Sequence, residues 1–436
     1  MDRKLALLGG QKSCRESLPA HPVLGKSERN QINEVLKTGL ISGFIAKAGD
    51  YFLGGPKVKL LEENFKDFFN VKYAVSLNSA TAGLHAAVCA AGVGPGDEVV
   101  VTPYTMTASA SAIVMANAVP VFADIKEDTY CIDPLEIKKK ITSRTKAIMV
   151  VHLFGQSADM DEIRKIAKKH KLALIEDCAQ SPGATYKGKN TGILGDISVF
   201  SLNQHKTITS GEGGVVLANN LKMAEKVRLI RNHGEVVVSD NKVKDIVNVV
   251  GYNYRMTELE AGLAIAQFKE LDFLTDYRIE LAQYLTAKLR EFNNPCLELP
   301  VVYPHNKHVY FVYPFKFKES KAEIKRETFL KALSAEGVPC AGGYVKPIYL
   351  EPMYQKLIGY GKMGCPFKCP LYKGEVNYKR GLCPVTEKMY YKELALTGIC
   401  RYPVKKNYID SVVGAFKKVF DNLKELSKYE KSKAKQ

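Results

Sequence analysis

Lys206 lies in the run Ser198-Val-Phe-Ser-Leu-Asn-Gln-His-Lys-Thr-Ile-Thr-Ser-Gly-Glu-Gly-Gly214. Ile197 to Leu202 reads as a buried strand, and a second apolar run, Val215 to Ala218, follows the glycines. Glycines let a backbone turn sharply and approach a bound group closely. A lysine held there and partly desolvated can lose its proton and attack a carbonyl, forming a Schiff base. An exposed lysine in a strand-turn-strand connection fits the same spacing. A second segment, Lys171-Leu-Ala-Leu-Ile-Glu-Asp-Cys-Ala-Gln180, is an apolar strand ending at Asp177. An acid at the carboxyl edge of a parallel sheet sits where open α/β folds bind ligands. It could pair with a ring nitrogen, or it could only cap the next turn. The third piece is Tyr73-Ala-Val-Ser-Leu-Asn-Ser-Ala-Thr-Ala-Gly-Leu-His-Ala-Ala87, which reads strand, polar turn, helix. Ser79 and Thr81 stand where a helix begins, so they could hold a phosphate, cap the helix, or do both. An amine, an acid and an anion cup are what pyridoxal phosphate requires: an imine partner, a proton on the pyridine nitrogen and a phosphate seat.

In order and wording these segments resemble the DegT-type sugar aminotransferases, a fold-type I pyridoxal-phosphate family. The likeness runs from about Val23 to about Val419. It also covers Gly94-Pro-Gly-Asp-Glu-Val99, Thr102-Pro-Tyr-Thr105, Val151-His-Leu-Phe-Gly155, Asn232-His-Gly234 and Gly251-Tyr-Asn-Tyr-Arg-Met-Thr-Glu258. The resemblance implies a large domain with a mostly parallel sheet between helices and a smaller C-terminal α+β domain. It implies that Lys206 carries the cofactor and moves the proton, that Asp177 meets the pyridine nitrogen, and that Gln180 faces the ring or its 3-hydroxyl. It assigns the phosphate to Ser79, Ala80 (through its backbone), Thr81 and Ser201. Asn253 would reach the phosphate of a partner subunit, so a homodimer with shared sites is expected. Three positions depart from the pattern. Met106 stands where an aromatic ring usually stacks on the cofactor, with Tyr104 as a nearby substitute. Ala80 replaces a common glycine. Tyr349 stands where many nucleotide-sugar members carry histidine.

The reaction implied is ping-pong transfer of an amino group from glutamate or glutamine to a sugar-like ketone. The first candidate acceptor is a nucleotide-linked keto-deoxysugar and the second a ketocyclitol. The cyclitol candidate is suggested by Pro347-Ile-Tyr349 and Gly381-Leu-Cys-Pro-Val-Thr-Glu387. A sugar dehydratase and a non-catalytic regulator of the same fold are the rival classes. The dehydratases resembling this family carry histidine in place of the lysine. His205 is adjacent here, but the spacing to Gly211 puts Lys206 in register. Substrate contacts are expected among Tyr104, His152, His205, His233, Arg255, Tyr344 and Tyr349, each of which has a structural alternative.

The elements that must position these groups follow from patterning. At 436 residues with 46% hydrophobic content, the chain is long enough for about two or three domains. The expected division is an N-terminal arm over 1–25, a large cofactor domain over 26–270, a small domain over 271–426 and a basic tail over 427–436. Helices are expected from Ser27 to Thr38, from just after the Gly54-Gly55-Pro56 turn through Phe69, and from near Thr257 toward Arg290. Others are expected over Arg326 to Glu336 and Asp410 to Leu426. Strands and helices alternate from Val71 to about Ala218, as a parallel sheet between helices demands. No apolar run is long enough for a membrane span, and no signal peptide is evident. Ten scattered cysteines fit a reduced, cytoplasmic protein. Cys365, Cys369, Cys383 and Cys400 could hold zinc but read better as ordinary loop thiols, so no metal is expected. The net charge of +17 lies on helix faces and the tail without a nucleic-acid recognition pattern, and it suits an anionic small substrate.

Overall fold

The computed structural model describes residues 4–433. Its centre is a seven-stranded sheet. Five members come early: β1 (Tyr73–Leu77), β2 (Glu98–Val101), β3 (Val119–Phe122), β4 (Thr145–Val151) and β5 (Ala173–Asp177). A small hairpin of β6 (Thr185–Tyr186) and β7 (Lys189–Asn190) intervenes before β8 (Ile197–Ser201) and β9 (Gly214–Ala218) complete the sheet. The order is β1-β9-β8-β5-β4-β2-β3. Only β9 runs against its neighbours. β2, β8 and β9 are buried at every position, as continuous apolar runs covered on both faces must be. Because β1, β5 and β8 run the same way, Leu77, Asp177 and Ser201 all reach the same carboxyl edge.

The helix Ala80–Ala90 packs across the sheet with most of its residues buried. Its small side chains permit the approach: a Cβ on Gly83 would come within 2.8 Å of Val199. The helix Pro56–Phe69 buries Val58, Leu61, Phe65 and Phe69, while Leu60 is exposed. The long helix expected from Thr257 is two helices, Glu258–Lys269 and Leu271–Arg290, which meet at Glu270. In the small domain, β10 (Leu297–Glu298), β12 (Tyr313–Phe317), β13 (Ala341–Gly342) and β14 (Leu394–Thr397) form a sheet in the order β10-β12-β14-β13. A further strand, β11 (Asn306–Lys307), joins the β6–β7 hairpin of the large domain.

The domain boundaries differ from the sequence expectation at three places. Residues 1–3 lie outside the described residues, but the arm that follows is packed rather than loose. Leu5 and Cys14 enter the small-domain core, and Glu336 accepts from the N–H groups of Ala6 (2.7 Å) and Ser13 (3.0 Å). Ile348, Tyr349, Tyr354, Phe367, Tyr372 and Tyr378, assigned above to the small domain, instead pack in the core of the large one beside Phe122 and Val119. The C-terminal helix Lys406–Asp421 breaks at Asn422, and a second helix, Leu423–Lys433, takes in the described part of the expected basic tail. Residues 434–436 of the expected tail lie outside the described residues. Among the described residues, no helix is long and apolar enough to cross a membrane.

Candidate active site

The Lys206 loop joins β8 to β9. Asn203 shapes it, accepting the Lys206 N–H (2.9 Å) on its carbonyl and donating to Glu212 (2.9 Å) from its side chain. Gln204 donates to the Gly211 carbonyl at 2.7 Å, closing the base. The Lys206 Nζ lies 4.8 Å from the centre of the Phe311 ring. Burial pushes its pKa below the ordinary lysine range, and the charge of Asp177 partly restores it. This is a lysine poised near an acid, not a solvated turn residue.

Asp177 is buried at the end of β5. Its Oδ2 accepts from the Ser109 hydroxyl (2.8 Å) and its Oδ1 from the Ala179 N–H (3.0 Å). These bonds fix the carboxylate at the sheet edge. Gln180 is buried as well. Its Oε1 accepts from the Phe154 N–H (2.8 Å), and its Nε2 donates to the Tyr344 hydroxyl (2.9 Å). One amide N–H of Gln180 remains for a further acceptor.

The anion cup is the N-terminus of the helix Ala80–Ala90. The Ser79 Oγ caps it by accepting from the Ala82 N–H at 3.1 Å. The N–H groups of Ala80 and Thr81 have no intrahelical acceptor and point out of the first turn. Gly214 shows why a glycine is needed opposite: a Cβ there would sit 2.6 Å from the Ala80 nitrogen. Gly214 pairs with Leu77 on one side and Ser201 on the other, so the ends of β1 and β8 flank the cup. The free N–H groups of this first turn suit an anion such as a phosphate group.

The remaining predicted residues divide. Met106 is 56% exposed. Tyr104 is fully enclosed, edge-on to Tyr344 at 6.1 Å, with its hydroxyl lacking a partner. Asn253 is exposed and accepts from Arg255 Nε at 2.8 Å. Tyr344 reaches the site through Gln180. His152 does not: its ring is fully buried, with Nε2 2.8 Å from Glu176 and Nδ1 accepting from the Ala158 N–H. Glu176 and Asp177 are consecutive on one strand and so face opposite sides of the sheet, and His152 follows the wrong one. Tyr349 is likewise a core residue. Its hydroxyl donates to Glu387 and its ring packs near Phe122, so it is not placed to touch a substrate within this chain. Glu176 also accepts from the N–H groups of Gly192, Leu194 and Gly195, so the His152–Glu176–Cys178 group is a saturated hydrogen-bond hub rather than a metal centre. Cys383 belongs to the large-domain core and Cys400 to the small-domain core, so these two thiols do not meet. His205 is exposed, and His233 is half-buried with a left-handed backbone, φ 48°.

Ser109 and Phe311 escaped the sequence reading. Ser109 lies just beyond Met106 in an alanine-serine run, a pattern indistinguishable from any small-residue helix. Phe311 comes from the small domain, and no local signal marks a contact between residues so far apart in the chain.

A lysine, an acid and an open helix N-terminus at the carboxyl edge of this sheet define a pyridoxal-phosphate-dependent aminotransferase of fold type I. The chain belongs to the DegT/DnrJ/EryC1/StrS aminotransferase family, whose description matches residues 43–369. It is 36% identical over 338 residues to GDP-perosamine synthase of Caulobacter vibrioides, covering 78% of this chain and 86% of that one. It is 30% identical to a putative L-glutamine:3-amino-2,3-dideoxy-scyllo-inosose aminotransferase of Micromonospora echinospora, covering 98% of this chain and 100% of that one. An aminotransferase structure from Psychrobacter cryohalolentis superposes with a TM-score of 0.79 at 29% identity, covering 93% of this chain and 99% of that one.

Proposed function

We propose that this protein transfers an amino group from glutamate or glutamine to the ketone of a nucleotide-linked keto-deoxysugar. The observation that carries the reading is the juxtaposition of the desolvated Lys206 amine with Asp177 beside the open first turn of the helix Ala80–Ala90. The likeness to GDP-perosamine synthase supports the nucleotide-sugar acceptor. Pyridoxal phosphate, when bound, supplies an aldehyde to carry the amino group and a ring to take up the electron pair left at the donor carbon. Ser79, Ser201 and the N–H groups of Ala80 and Thr81 hold the phosphate. Asp177, fixed by Ser109 and Ala179, orients its carboxylate toward the ring nitrogen. Gln180 presents its remaining N–H toward the ring. Lys206 Nζ, over the Phe311 ring, takes the proton from the donor α-carbon and delivers it to the carbon that carries the amino group on the cofactor, and it runs the same transfer in reverse toward the acceptor in the second half of the cycle.

The same reading makes the functional unit a homodimer, with Asn253 completing the partner's phosphate seat. Ile246, Val247 and Val250, just ahead of Asn253, are 57%, 65% and 63% exposed in the single chain, as a surface awaiting a second copy would be. A ketocyclitol acceptor is the second reading, favoured by the inosose aminotransferase relative that matches nearly the whole chain. Borohydride treatment of the holoenzyme followed by peptide mass spectrometry is expected to place the cofactor on Lys206. Lys206→Ala is expected to lose at least about 10³-fold in turnover. A label on another peptide, or retained turnover, would refute the assignment. Mixing the amino-loaded enzyme with nucleotide-linked keto-sugars and with inososes, and following cofactor absorbance, separates the two acceptors.

A further inference from the structure

Arg278, on the helix Leu271–Arg290, is only 4% exposed. Its Nη1 makes two long hydrogen bonds, to the carbonyls of Tyr310 (3.4 Å) and Phe311 (3.3 Å). Arg401 stands near it. Its Nη2 donates to the Pro19 carbonyl at 3.4 Å, and its buried Nε has no partner. Among the described residues, no carboxylate acts on either guanidinium, and Arg401 acts on Arg278 as a repulsive charge. Burial first, and Arg401 second, push Arg278 down to about 10. Arg231 offers an internal comparison. It is equally buried, yet its Nη1 meets Glu62 at 2.7 Å. A buried cation without a counter-ion is strongly disfavoured in a folded protein.

The unpaired arginines adjoin the candidate active site. The Phe311 residue that offers its carbonyl to Arg278 also lies under the Lys206 amine. His21, in the arm residue run that contains Pro19, places its Nε2 3.3 Å from the Lys206 carbonyl. After burial, the charges of Arg278 and Arg401 are the main forces holding His21 neutral. The phosphate cup belongs to different elements altogether, the first turn of the helix Ala80–Ala90 and the strand ends beside it.

We propose that Arg278 and Arg401 form the seat for the carboxylate of the amino donor, with the arm around Pro19 and His21 as its wall. The proposal rests on the aminotransferase reading, because a donor whose α-carbon faces Lys206 must place its carboxylate close by. Two guanidinium groups match a carboxylate's two oxygens, and a bound carboxylate would supply the negative charge that this part of the protein lacks. Sequence reading had no route to the pair, since Arg278 and Arg401 are far apart in the chain and sit in unremarkable helical and loop contexts.

The test uses the holoenzyme and glutarate, a dicarboxylate without an amine that cannot be turned over. Calorimetric titration is expected to show glutarate binding to the wild type, weakened at least tenfold in Arg401→Gln. Arg278→Lys, which keeps the buried charge but loses the planar fork, should weaken binding as well. Inorganic phosphate at equal concentration should not displace glutarate. Absence of binding to the wild type, affinity in Arg401→Gln within twofold of the wild type, or displacement by phosphate would each overturn the carboxylate seat. Arg401→Gln carries the test should Arg278→Lys not fold. Borohydride labelling of the same wild-type preparation keeps the two readings apart: an unlabelled Lys206 defeats the aminotransferase reading, whereas a labelled Lys206 with indifferent glutarate binding defeats only the arginine pair.

Discussion

Met106 is exposed, and the family resemblance puts an aromatic ring over the cofactor at its position. Its thioether is polarizable and makes favourable contacts with rings, but it is flexible and offers less flat area than phenylalanine. Met106→Phe is therefore expected to tighten cofactor retention by about 0.5–1.5 kcal/mol, read as a lower dissociation constant in a dialysis or fluorescence titration. At this scale the sequence was informative wherever chemistry and local pattern coincide. Lys206, Asp177 and Ser79 each end or follow a short apolar run, so their placement could be deduced. His152 shows the limit. It follows β4 as Asp177 ends β5, yet its ring turns to Glu176 on the far side of the sheet. Facing depends on strand parity and on neighbours from other segments, neither of which a lone histidine reveals.

At the scale of elements, two close approaches set the geometry. Gly214 lets β9 lie against the first turn of the helix Ala80–Ala90. Gly214→Val would drive side-chain atoms into the Ser79–Ala80 peptide, which a Cβ alone already meets at 2.6 Å. The expected result is weakened cofactor binding by an order of magnitude or more with secondary structure retained, measured by absorbance titration and circular dichroism together. On the opposite face, Glu176 gathers three backbone N–H groups and His152. Glu176→Ala would orphan those donors in the interior and is expected to destabilise the fold by about 3 kcal/mol or more, seen as a fall in the urea midpoint. The strands and most helices could be anticipated from apolar runs and from Gly and Pro punctuation. The break at Glu270 could not, because the apolar pattern continues across it and only packing separates the two helices.

At the scale of the whole molecule, burial holds several histidines neutral. His85 is pushed down to about 4 and His308 to about 3, in both cases by desolvation first. His21 is also pushed down to about 4, by burial and then by the two arginines. In the unfolded chain each titrates near 6.5. Between those values the unfolded state binds more protons than the folded one, so stability increases with pH. The contribution is complete above about 6.5 and is lost as pH falls toward 4. Each fully neutral histidine adds a slope of up to about 1.4 kcal/mol per pH unit within that window. Urea midpoints measured from pH 7 down to pH 5 should fall steadily, and the decline should be shallower in His85→Gln. The large sheet was legible because strands and helices alternate from Val71 to about Ala218. The path of residues 348–383 was not, because a segment rich in proline, cysteine and tyrosine has no periodicity to read.

That path has a practical corollary. The polypeptide leaves the large domain along the helix Leu271–Arg290, builds part of the small sheet, returns to bury Tyr349, Tyr354 and Tyr378 against Phe122, and goes back to add β14 between β12 and β13. The two lobes are thus interlaced rather than strung in series. Excising residues 271–436 as a separate module would strip those tyrosines of their hosts and yield an insoluble fragment, whereas a nick within the 358–371 turn should leave both lobes clasped together.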